Sequence, residues 1–287
     1  MNVKTTIGLL AGAALGGAAL AYARFIEPFR WDVTRHEIRL SRLPAAFDGY
    51  TIVHLSDLHM DDVTNEARLM EVVALANAEK PDIVVLTGDF VTADKPFDGA
   101  ALTRVLAALE APDGKLGVLG NHDRLGHVQA VIGAVEAGGV TVLNNAVHTL
   151  YRGPRGGRKK SASAAALTFA GVDSLYRRRP RLDEVLNALP AGDGVHILLA
   201  HEPDFADVAA PTRRFAFQLS GHAHGGQVRV PFLTSFGLPR YGMRYVEGLN
   251  MVGDMLLYAH RGLGMTSAPI RFNCRPEIAV HVLRAHG

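Results

Sequence analysis

Five apolar segments of this 287-residue chain each end in residues that can bind a metal ion. The segments are IVHLSDLH, IVVLTGDF, LGVLGNHD, HILLAHEP and FQLSGHAH. Where parallel strands feed helices, their carboxyl ends line one crevice, so clusters far apart in sequence can meet there. Histidine, aspartate and asparagine supply nitrogen and oxygen ligands, which suit Mn²⁺, iron or Zn²⁺ better than a soft metal. We therefore expect a metal centre at the strand ends.

A carboxylate that can join two metal ions stands at the end of the second segment. Two ions about 3.5 to 4 Å apart need a ligand that reaches both, and a carboxylate has two oxygens with which to bridge them. Asp89 is the candidate for this bridge, and Gly88 before it is expected to leave room for the ions. Asp57 and His59 follow the first segment at positions i and i+2, from which both side chains can turn into the crevice.

The ordered set of motifs resembles the calcineurin-like metallophosphoesterase superfamily, although each motif alone recurs by chance. The blocks that carry the resemblance are Asp57-x-His59, Gly88-Asp89, Gly120-Asn121-His122-Asp123, His201 and Gly221-His222-x-His224. The resemblance implies two divalent metal ions, for which manganese, iron and zinc are the candidates. The implied ligands are Asp57, His59, Asp89 and His224 for one ion and Asp89, Asn121, His201 and His222 for the other.

The same resemblance leaves His122 free of metal and places it beside the leaving group. A histidine titrates near neutral pH, so it can orient a phosphate and protonate the departing oxygen. The implied reaction is hydrolysis of a phosphodiester or pyrophosphate bond by a metal-bound hydroxide, because coordination lowers the pKa of water from about 15.7 toward 7. A phosphomonoesterase, a non-catalytic metal-binding scaffold and a hydrolase of carboxylic esters or amides are the alternatives.

Three further segments bear on the substrate. Residues 261–283 look like the C-terminal part of the bacterial membrane-associated phosphodiesterase branch, which includes enzymes similar to those that cleave UDP-2,3-diacylglucosamine. Residues 231–249 interleave aromatic side chains with arginines, which suits a lipid-bearing substrate or a membrane surface, although they could equally pack over the sheet. The second block has Thr92 where phosphoprotein phosphatases of the superfamily have aspartate, which argues against a phosphoprotein substrate.

The N-terminal segment suggests a relation to a membrane. Residues 5–23 carry no charge and are long enough, at about 1.5 Å per residue, to cross a bilayer as a helix. They predict a hydrophobic anchor or a signal segment that is cleaved near Ala23 for export. Lys4 alone precedes the segment and several arginines follow it, so an uncleaved anchor in the inner (cell) membrane would leave the catalytic domain in the cytoplasm.

Composition narrows the classes of function. A net charge of +2 gives no reason to expect nucleic-acid binding. Cys274 is the only cysteine, which excludes an intrachain disulfide and a thiolate-rich zinc site. His54 and His196 lie inside strand-like runs and are expected to be core or paired residues. The histidines to which the sequence assigns no role are His36, His127, His148, His260, His281 and His286.

The elements that must position these motifs predict an α/β fold. From residue 48, apolar runs alternate with helical stripes such as that of residues 64–79, which indicates a βαβαβα unit and a largely parallel sheet. After residue 139 shorter strand-like pieces dominate, among them GQVRV at 226–230, and residues 152–163 read as a basic, glycine-rich loop. We expect a four-layer α-β-β-α sandwich of two packed mixed sheets flanked by helices. The predicted divisions are 1–23 (hydrophobic helix), 24–46 (linker and first strand) and 47–287 (metallophosphoesterase domain).

Overall fold

The computed structural model describes residues 3–93, 95–125, 128–153, 164–176, 180–192, 194–230 and 237–285, and within them it contains seven α-helices and twelve β-strands. The helices are α1 Val3–Phe25, α2 Glu66–Ala78, α3 Gly99–Ala107, α4 Asn121–Arg124, α5 Val128–Ala137, α6 Leu182–Ala188 and α7 Ala206–Ala209. The strands are β1 Asp32–Leu40, β2 Thr51–Leu55, β3 Ile83–Leu86, β4 Lys115–Gly117, β5 Val140–Val142, β6 Ala146–Arg152, β7 Ala165–Gly171, β8 Val195–Leu199, β9 Phe217–Ser220, β10 Gly248–Val252, β11 Met255–Ala259 and β12 Glu277–Ala285.

The first sheet has six strands in the order β1-β12-β2-β3-β4-β5. Strands β2 to β5 are parallel, and β12 pairs antiparallel with β2 and parallel with β1. The helices between the parallel strands begin where side chains cap them: Asn65 accepts a hydrogen bond from an amide of α2, and Asp98 does the same for α3. The predicted βαβαβα unit is therefore confirmed.

The second sheet also has six strands, in the order β10-β11-β9-β8-β7-β6. Its inner strands β7, β8, β9 and β11 are parallel, and the two edge strands pair antiparallel. The prediction of a strand at 226–230 is wrong: Gly226 and Gln227 have positive φ angles of 80° and 52°, and only Val228 forms an isolated bridge. Positive φ interrupts the extended backbone that a strand requires.

Alternating side chains divide the core into three layers. In β2, Ile52 packs into the cluster between the two sheets, whereas Val53 packs toward α2 and α3. Phe217 of the second sheet joins the cluster between the sheets, and a third cluster lies between that sheet and α6 and α7. Because strand side chains alternate in direction, each sheet can bury both faces in this way. Two packed mixed sheets flanked by helices, as predicted, are confirmed.

The N-terminal helix α1 joins the domain at its C-terminal end. The carbonyl of Ala23 accepts a hydrogen bond from the amide of Arg271 (2.9 Å), and the buried Glu27 carboxylate accepts one from the amide of Cys274. Residues 12–20 are exposed. In the part of the chain that the structure describes, no helix is long and apolar enough to cross a membrane, so the transmembrane character predicted for this segment is not supported.

Several predictions from the sequence fall partly or wholly outside the described residues. The basic loop at 152–163 is described only for Arg152 and Gly153, and the aromatic segment 231–249 only from residue 237. His127 and His286 are also outside. The first strand, predicted within 24–46, is β1, and it belongs to the first sheet through its pairing with β12.

Candidate metal centre

The strand ends that were predicted to carry ligands converge in space. The loops after β2, β3, β8 and β9 and the start of α4 meet at one edge of the two sheets. Every residue in the predicted ligand set is at most 6% exposed. The residues that the structure brings together here are Asp57, His59, Asp89, Asn121, His122, His201, His222 and His224.

The first group of converging side chains consists of Asp57, His59 and His224. The Nε2 atoms of the two histidines are 3.2 Å apart, and His224 Nε2 is 3.2 Å from Asp57 Oδ1. His59 Nδ1 and His224 Nδ1 are buried without a hydrogen-bond partner among the described residues. The two rings thus direct one nitrogen each toward the same carboxylate.

The second group consists of Asp89, His201 and His222, with Asn121 beside them. His201 Nε2 lies 3.2 Å from Asp89 Oδ2, 3.2 Å from His222 Nδ1 and 3.1 Å from Asn121 Oδ1. One ring nitrogen is therefore surrounded by three potential ligand atoms. His201 Nε2 and His222 Nδ1 are close enough to share one proton. A cation bound among the four side chains would instead be a ligand partner for each of them.

Asp89 stands between the two groups. Its Oδ2 atom lies 3.5 Å from His59 Nε2 in the first group and 3.2 Å from His201 Nε2 in the second. Its Oδ1 atom accepts a hydrogen bond from the amide of His122 (2.8 Å), which fixes the carboxylate plane. Gly120 permits this approach, because a Cβ atom there would lie 2.1 Å from Asp89 Oδ1.

Hydrogen bonds outside the cluster determine which ring nitrogens face it. His201 Nδ1 donates to the carbonyl of Thr87 (2.7 Å), so Nε2 is the nitrogen that faces the site. His222 Nε2 donates to the carbonyl of Arg240 (2.8 Å), so its Nδ1 faces inward. The amide of His222 donates to both oxygens of Asp57 at 3.1 Å, which ties the two groups together.

The ligand loops have unusual backbone conformations. Left-handed φ angles are uncommon for residues with a side chain, and they concentrate where surrounding structure enforces them, often at functional sites. The loop after β9 is also tightly packed: a Cβ atom on Gly221 would lie 1.9 Å from Ser56 Oγ. Predicted ligands with φ between 43° and 68° are Asp57, His59, Asp89, His222 and His224.

Electrostatics favour the protonation states that metal binding needs. Burial by itself would raise the pKa of Asp57 and Asp89, but the neighbouring histidines outweigh it and hold both values well below the usual range. Burial lowers the pKa of His59 to about 3 and, with His201, that of His222 to about 4. At neutral pH the carboxylates are therefore charged and these two rings neutral, as ligands must be.

His201 behaves differently from the other rings. Burial would lower its pKa, but the Asp89 carboxylate at 3.2 Å raises it well above the ordinary value. A proton on His201 compensates the buried carboxylates. A divalent cation would supply the same compensation and displace that proton.

His122 sits at the edge of the cluster and is only partly buried. Its Nδ1 accepts a hydrogen bond from the amide of Ala93 (3.0 Å), and its ring meets His59 edge-on with centroids 4.8 Å apart. A neutral ring held in this way carries its proton on Nε2. The side chain can thus donate a hydrogen bond from Nε2 without being charged.

Sequence reasoning missed the role of Asp123. Its buried carboxylate accepts hydrogen bonds from the amides of Asp89, Phe90, Val91 and Gly120 (2.8 to 3.3 Å), so it joins the two loops that carry Asp89 and Asn121. The GNHD motif contained it, and its position three residues after Gly120 suits a helix N-terminus, which is where it lies.

Tyr176 was also missed, because nothing in the spacing of the sequence connects it with the metal motifs. Its ring contacts His222 with centroids 5.6 Å apart, and its hydroxyl donates to the carbonyl of Arg240 (3.0 Å). Gly88 makes room for the adjacent loop and for a predicted ligand: a Cβ atom there would lie 2.5 Å from the amide nitrogen of Gly120 and 2.9 Å from His201 Nδ1. Its expected role of leaving room for ions stays a prediction.

A cleft of about 430 Å³ opens over these groups. Its floor includes Asp89, Asn121 and His222, and Tyr176 and the segment from Gly226 to Val228 form part of its walls. In the described part of 231–249, Tyr245 packs against the cluster beside the second sheet, whereas the exposed Arg244 pairs with Asp207 at 2.7 Å. The clustered histidines and aspartates fit a divalent metal site that is open to a ligand.

Comparison with known proteins relates the chain to phosphoesterases. Residues 50–238 match the model of the calcineurin-like phosphoesterase family. The chain is 38% identical to the uncharacterized metallophosphoesterase YkuE of Bacillus subtilis, over 96% of this chain and 94% of the relative. It is 29% identical to the phosphodiesterase YaeI of Escherichia coli, over 92% of each chain. It is 26% identical to the UDP-2,3-diacylglucosamine pyrophosphatase LpxG of Chlamydia muridarum, over 97% of each chain.

Proposed function

Because this chain belongs to the calcineurin-like phosphoesterase family and is a metal-dependent phosphoester hydrolase, we propose that it uses two divalent ions to cleave phosphodiester or pyrophosphate bonds. The observation that carries the proposal is the position of one oxygen atom. Asp89 Oδ2 lies 3.5 Å from a ring nitrogen of one ligand group and 3.2 Å from a ring nitrogen of the other. A carboxylate oxygen in that position can serve two ions at once.

The proposed ligands divide as the two groups do. The set for the first ion is Asp57, His59, Asp89 and His224, and the set for the second is Asp89, Asn121, His201 and His222. Nitrogen and oxygen ligands without thiolate suit manganese, iron or zinc. His122 also lies near His59 and Asp89, but its Nδ1 is occupied by the Ala93 amide, so we assign it to the substrate instead.

When bound, the ions supply Lewis-acid stabilisation of the phosphate and activation of water near neutral pH. The chain itself supplies the remaining parts of the mechanism. The cleft holds the phosphoryl group above Asp89 and Asn121, and His122 Nε2 donates a hydrogen bond to the phosphate. Once the ring has also taken up a proton on Nδ1, which requires it to release the Ala93 amide, Nε2 can donate a proton to the departing oxygen. Asp123 keeps the two ligand loops at a fixed distance.

We favour diesters and pyrophosphates over monoesters as substrates. YaeI is named a phosphodiesterase and LpxG a UDP-2,3-diacylglucosamine pyrophosphatase, and both align over more than nine-tenths of this chain. A lipid-linked nucleotide is therefore the natural substrate that we would screen first. Localisation at the inner membrane with the catalytic domain in the cytoplasm, or export after cleavage near Ala23, stays a prediction from the sequence.

The test is a paired assay on the full-length protein loaded with Mn²⁺, Fe²⁺ or Zn²⁺ in turn. We expect bis-p-nitrophenyl phosphate to be cleaved faster than p-nitrophenyl phosphate, and p-nitrophenyl acetate not to be cleaved by the metal centre. Preference for the monoester would favour a phosphomonoesterase. Metal binding without turnover of any phosphoester would favour the non-catalytic scaffold and contradict the proposal.

A further inference from the structure

A second cleft shares His122 with the cleft over the metal ligands. It has a volume of about 690 Å³, within the range of pockets that enclose a small organic ligand. It lies between the described residues 91–93 and 95–99 on one side and the first turn of α5 on the other, and we call it the apolar cleft. His122 forms part of the wall of both clefts, so a molecule bound across this side chain would occupy both.

The walls of the apolar cleft are mainly hydrocarbon. Val91 and Val131 are buried, Phe97 is half-buried, and Ala93, Pro96 and Ala130 complete the apolar surface. Burial of a methylene group in such surroundings is favourable, whereas a charged group would lose its hydration.

The polar groups of this wall already have partners. The ammonium of Lys95 pairs with the Asp61 carboxylate at 2.7 Å, and the Asp123 carboxylate accepts backbone amides. The Thr92 hydroxyl donates to the carbonyl of His59 (3.4 Å). Because Lys95 is paired with Asp61, it brings no unpaired charge to the described lining of the cleft. The composition selects an apolar occupant rather than a second phosphate.

The geometry of His122 relates this cleft to one particular arm of the substrate. The Ala93 amide, which belongs to the cleft wall, holds Nδ1 at 3.0 Å, so Nε2 is the nitrogen that can donate a hydrogen bond to the departing oxygen. The group that carries this oxygen must start beside His122. Tyr176 and Gln227 line the cleft over the metal ligands, which leaves that cleft for the part of a diester that is retained on phosphorus.

We propose that the apolar cleft binds an alkyl or acyl chain on the leaving group, an inference that rests on the proposed phosphodiesterase function. In the overall reaction, water adds to phosphorus, the bond from phosphorus to the leaving oxygen breaks, and that oxygen departs as an alcohol bearing the chain. Contacts of the chain with Val91, Phe97 and Val131 are then available in the ground state and the transition state alike.

The test uses diesters in which methyl phosphate is joined to 4-alkylumbelliferones, because lengthening the alkyl group leaves the acidity of the leaving phenol nearly constant. Below the concentration at which the substrates aggregate, kcat/KM should rise roughly two- to fourfold per added methylene until the cleft is full. Ala130→Trp, which fills the cleft from an exposed position on α5, should abolish this rise. Ala137→Trp, exposed on the same helix outside the cleft, should behave as the wild type.

Rates that do not depend on chain length, or equal loss of the dependence in Ala137→Trp, would overturn the inference. Binding of the free alkylumbelliferones to metal-free protein, followed by fluorescence anisotropy, separates the two proposals. Affinity that rises with the length of the alkyl chain, and that loses this dependence in Ala130→Trp, would support chain binding in the apolar cleft even if no diester is hydrolysed. In that case the absence of hydrolysis would overturn the phosphodiesterase function alone. Affinity that does not depend on the length of the alkyl chain would overturn only the proposal that the apolar cleft binds this chain.

Discussion

The described residues contain two clusters of wholly or partly buried histidines, and only one of them forms a candidate metal centre. The metal-site cluster comprises His59, His122, His201, His222 and His224, and the core cluster comprises His36, His54, His260 and His281. In the core cluster the rings of His54 and His260 have centroids 4.7 Å apart, as close as those of the metal site. Proximity and burial of imidazoles are therefore not sufficient to make a ligand set.

The difference lies in the carboxylates and in the direction of the ring nitrogens. Asp57 and Asp89 face the nitrogens of the metal-site cluster, whereas Glu277, beside the core cluster, pairs with Arg261 at 3.1 Å and accepts from Tyr258. Both nitrogens of His281 are buried without a hydrogen-bond partner among the described residues. Every group of three converging ligands found in the described residues belongs to the metal site.

Removal of the shared carboxylate should have the largest effect. Asp89→Ala should lose bound metal and reduce turnover of a phosphodiester on the order of 10³-fold or more, because several kcal/mol of transition-state stabilisation depend on the ions. Metal content is measured by mass spectrometry on the folded protein. Glu277→Gln is the matched control beside the core cluster, and it should keep its metal because the ligand groups are untouched. A full complement of metal in Asp89→Ala would remove Asp89 from the bridging position.

Loss of the uncoordinated histidine should separate chemistry from metal binding. His122→Ala should lower kcat by about 10²- to 10⁴-fold, the usual contribution of a general acid, and leave metal content unchanged. His196→Ala is the control: its Nδ1 bonds the carbonyl of Arg214 (2.9 Å) away from both clusters. If His122→Ala instead loses one ion, this ring is a ligand and the assignment of its role is wrong.

Asp123 should affect metal affinity without being a ligand. Asp123→Asn replaces a carboxylate oxygen, which accepts hydrogen bonds from backbone amides, by an NH₂ group, which cannot accept them. The loops that carry Asp89 and Asn121 should therefore be held less firmly. Outer contacts of this kind change metal affinity by about 10- to 100-fold. A metal titration followed by calorimetry measures this change. Unaltered affinity in a folded Asp123→Asn protein would mean that the loops are held by other contacts.

The core cluster should make the fold sensitive to acid. Burial lowers the pKa of His281 to about 3, below the ordinary 6.5, so below pH 6.5 the unfolded chain binds a proton that the folded chain excludes. Stability is thus lost as the pH falls. From about pH 7.5 to 5 this histidine should account for about 2 kcal/mol of that loss. The ring in His281→Phe does not titrate, so the free energy of unfolding of this variant, measured in urea, should fall by about 2 kcal/mol less between pH 7.5 and 5. An unchanged pH dependence of this free energy would contradict the assignment.

The sequence was most informative where position along a strand determined position in space. The ends of β2, β3, β8 and β9 were visible as apolar runs followed by Asp, His or Gly, and a parallel sheet brings such ends to one edge. It was least informative where contacts depend on packing between the two sheets. The core cluster is an example, because His36, His54, His260 and His281 come from β1, β2, the residue after β11, and β12.

Some local errors also have physical causes. The segment 226–230 has the composition of a strand, but the left-handed residues that turn His222 and His224 inward continue through Gln227 and prevent it. The contact of Gly88 with the backbone of Gly120 was likewise not visible in the sequence. Both features arise because the close approach of neighbouring loops is a property of the assembled site.

The central claim is that one chain binds two ions that share Asp89. Titration of metal-free protein with Mn²⁺, followed by electron paramagnetic resonance, tests this claim directly. We predict saturation at two ions per chain with a spin-coupled signal, which requires that a common ligand join the ions, and loss of the coupling in Asp89→Ala. Saturation at one ion per chain, or two ions that give only the signal of isolated Mn²⁺, would contradict the account.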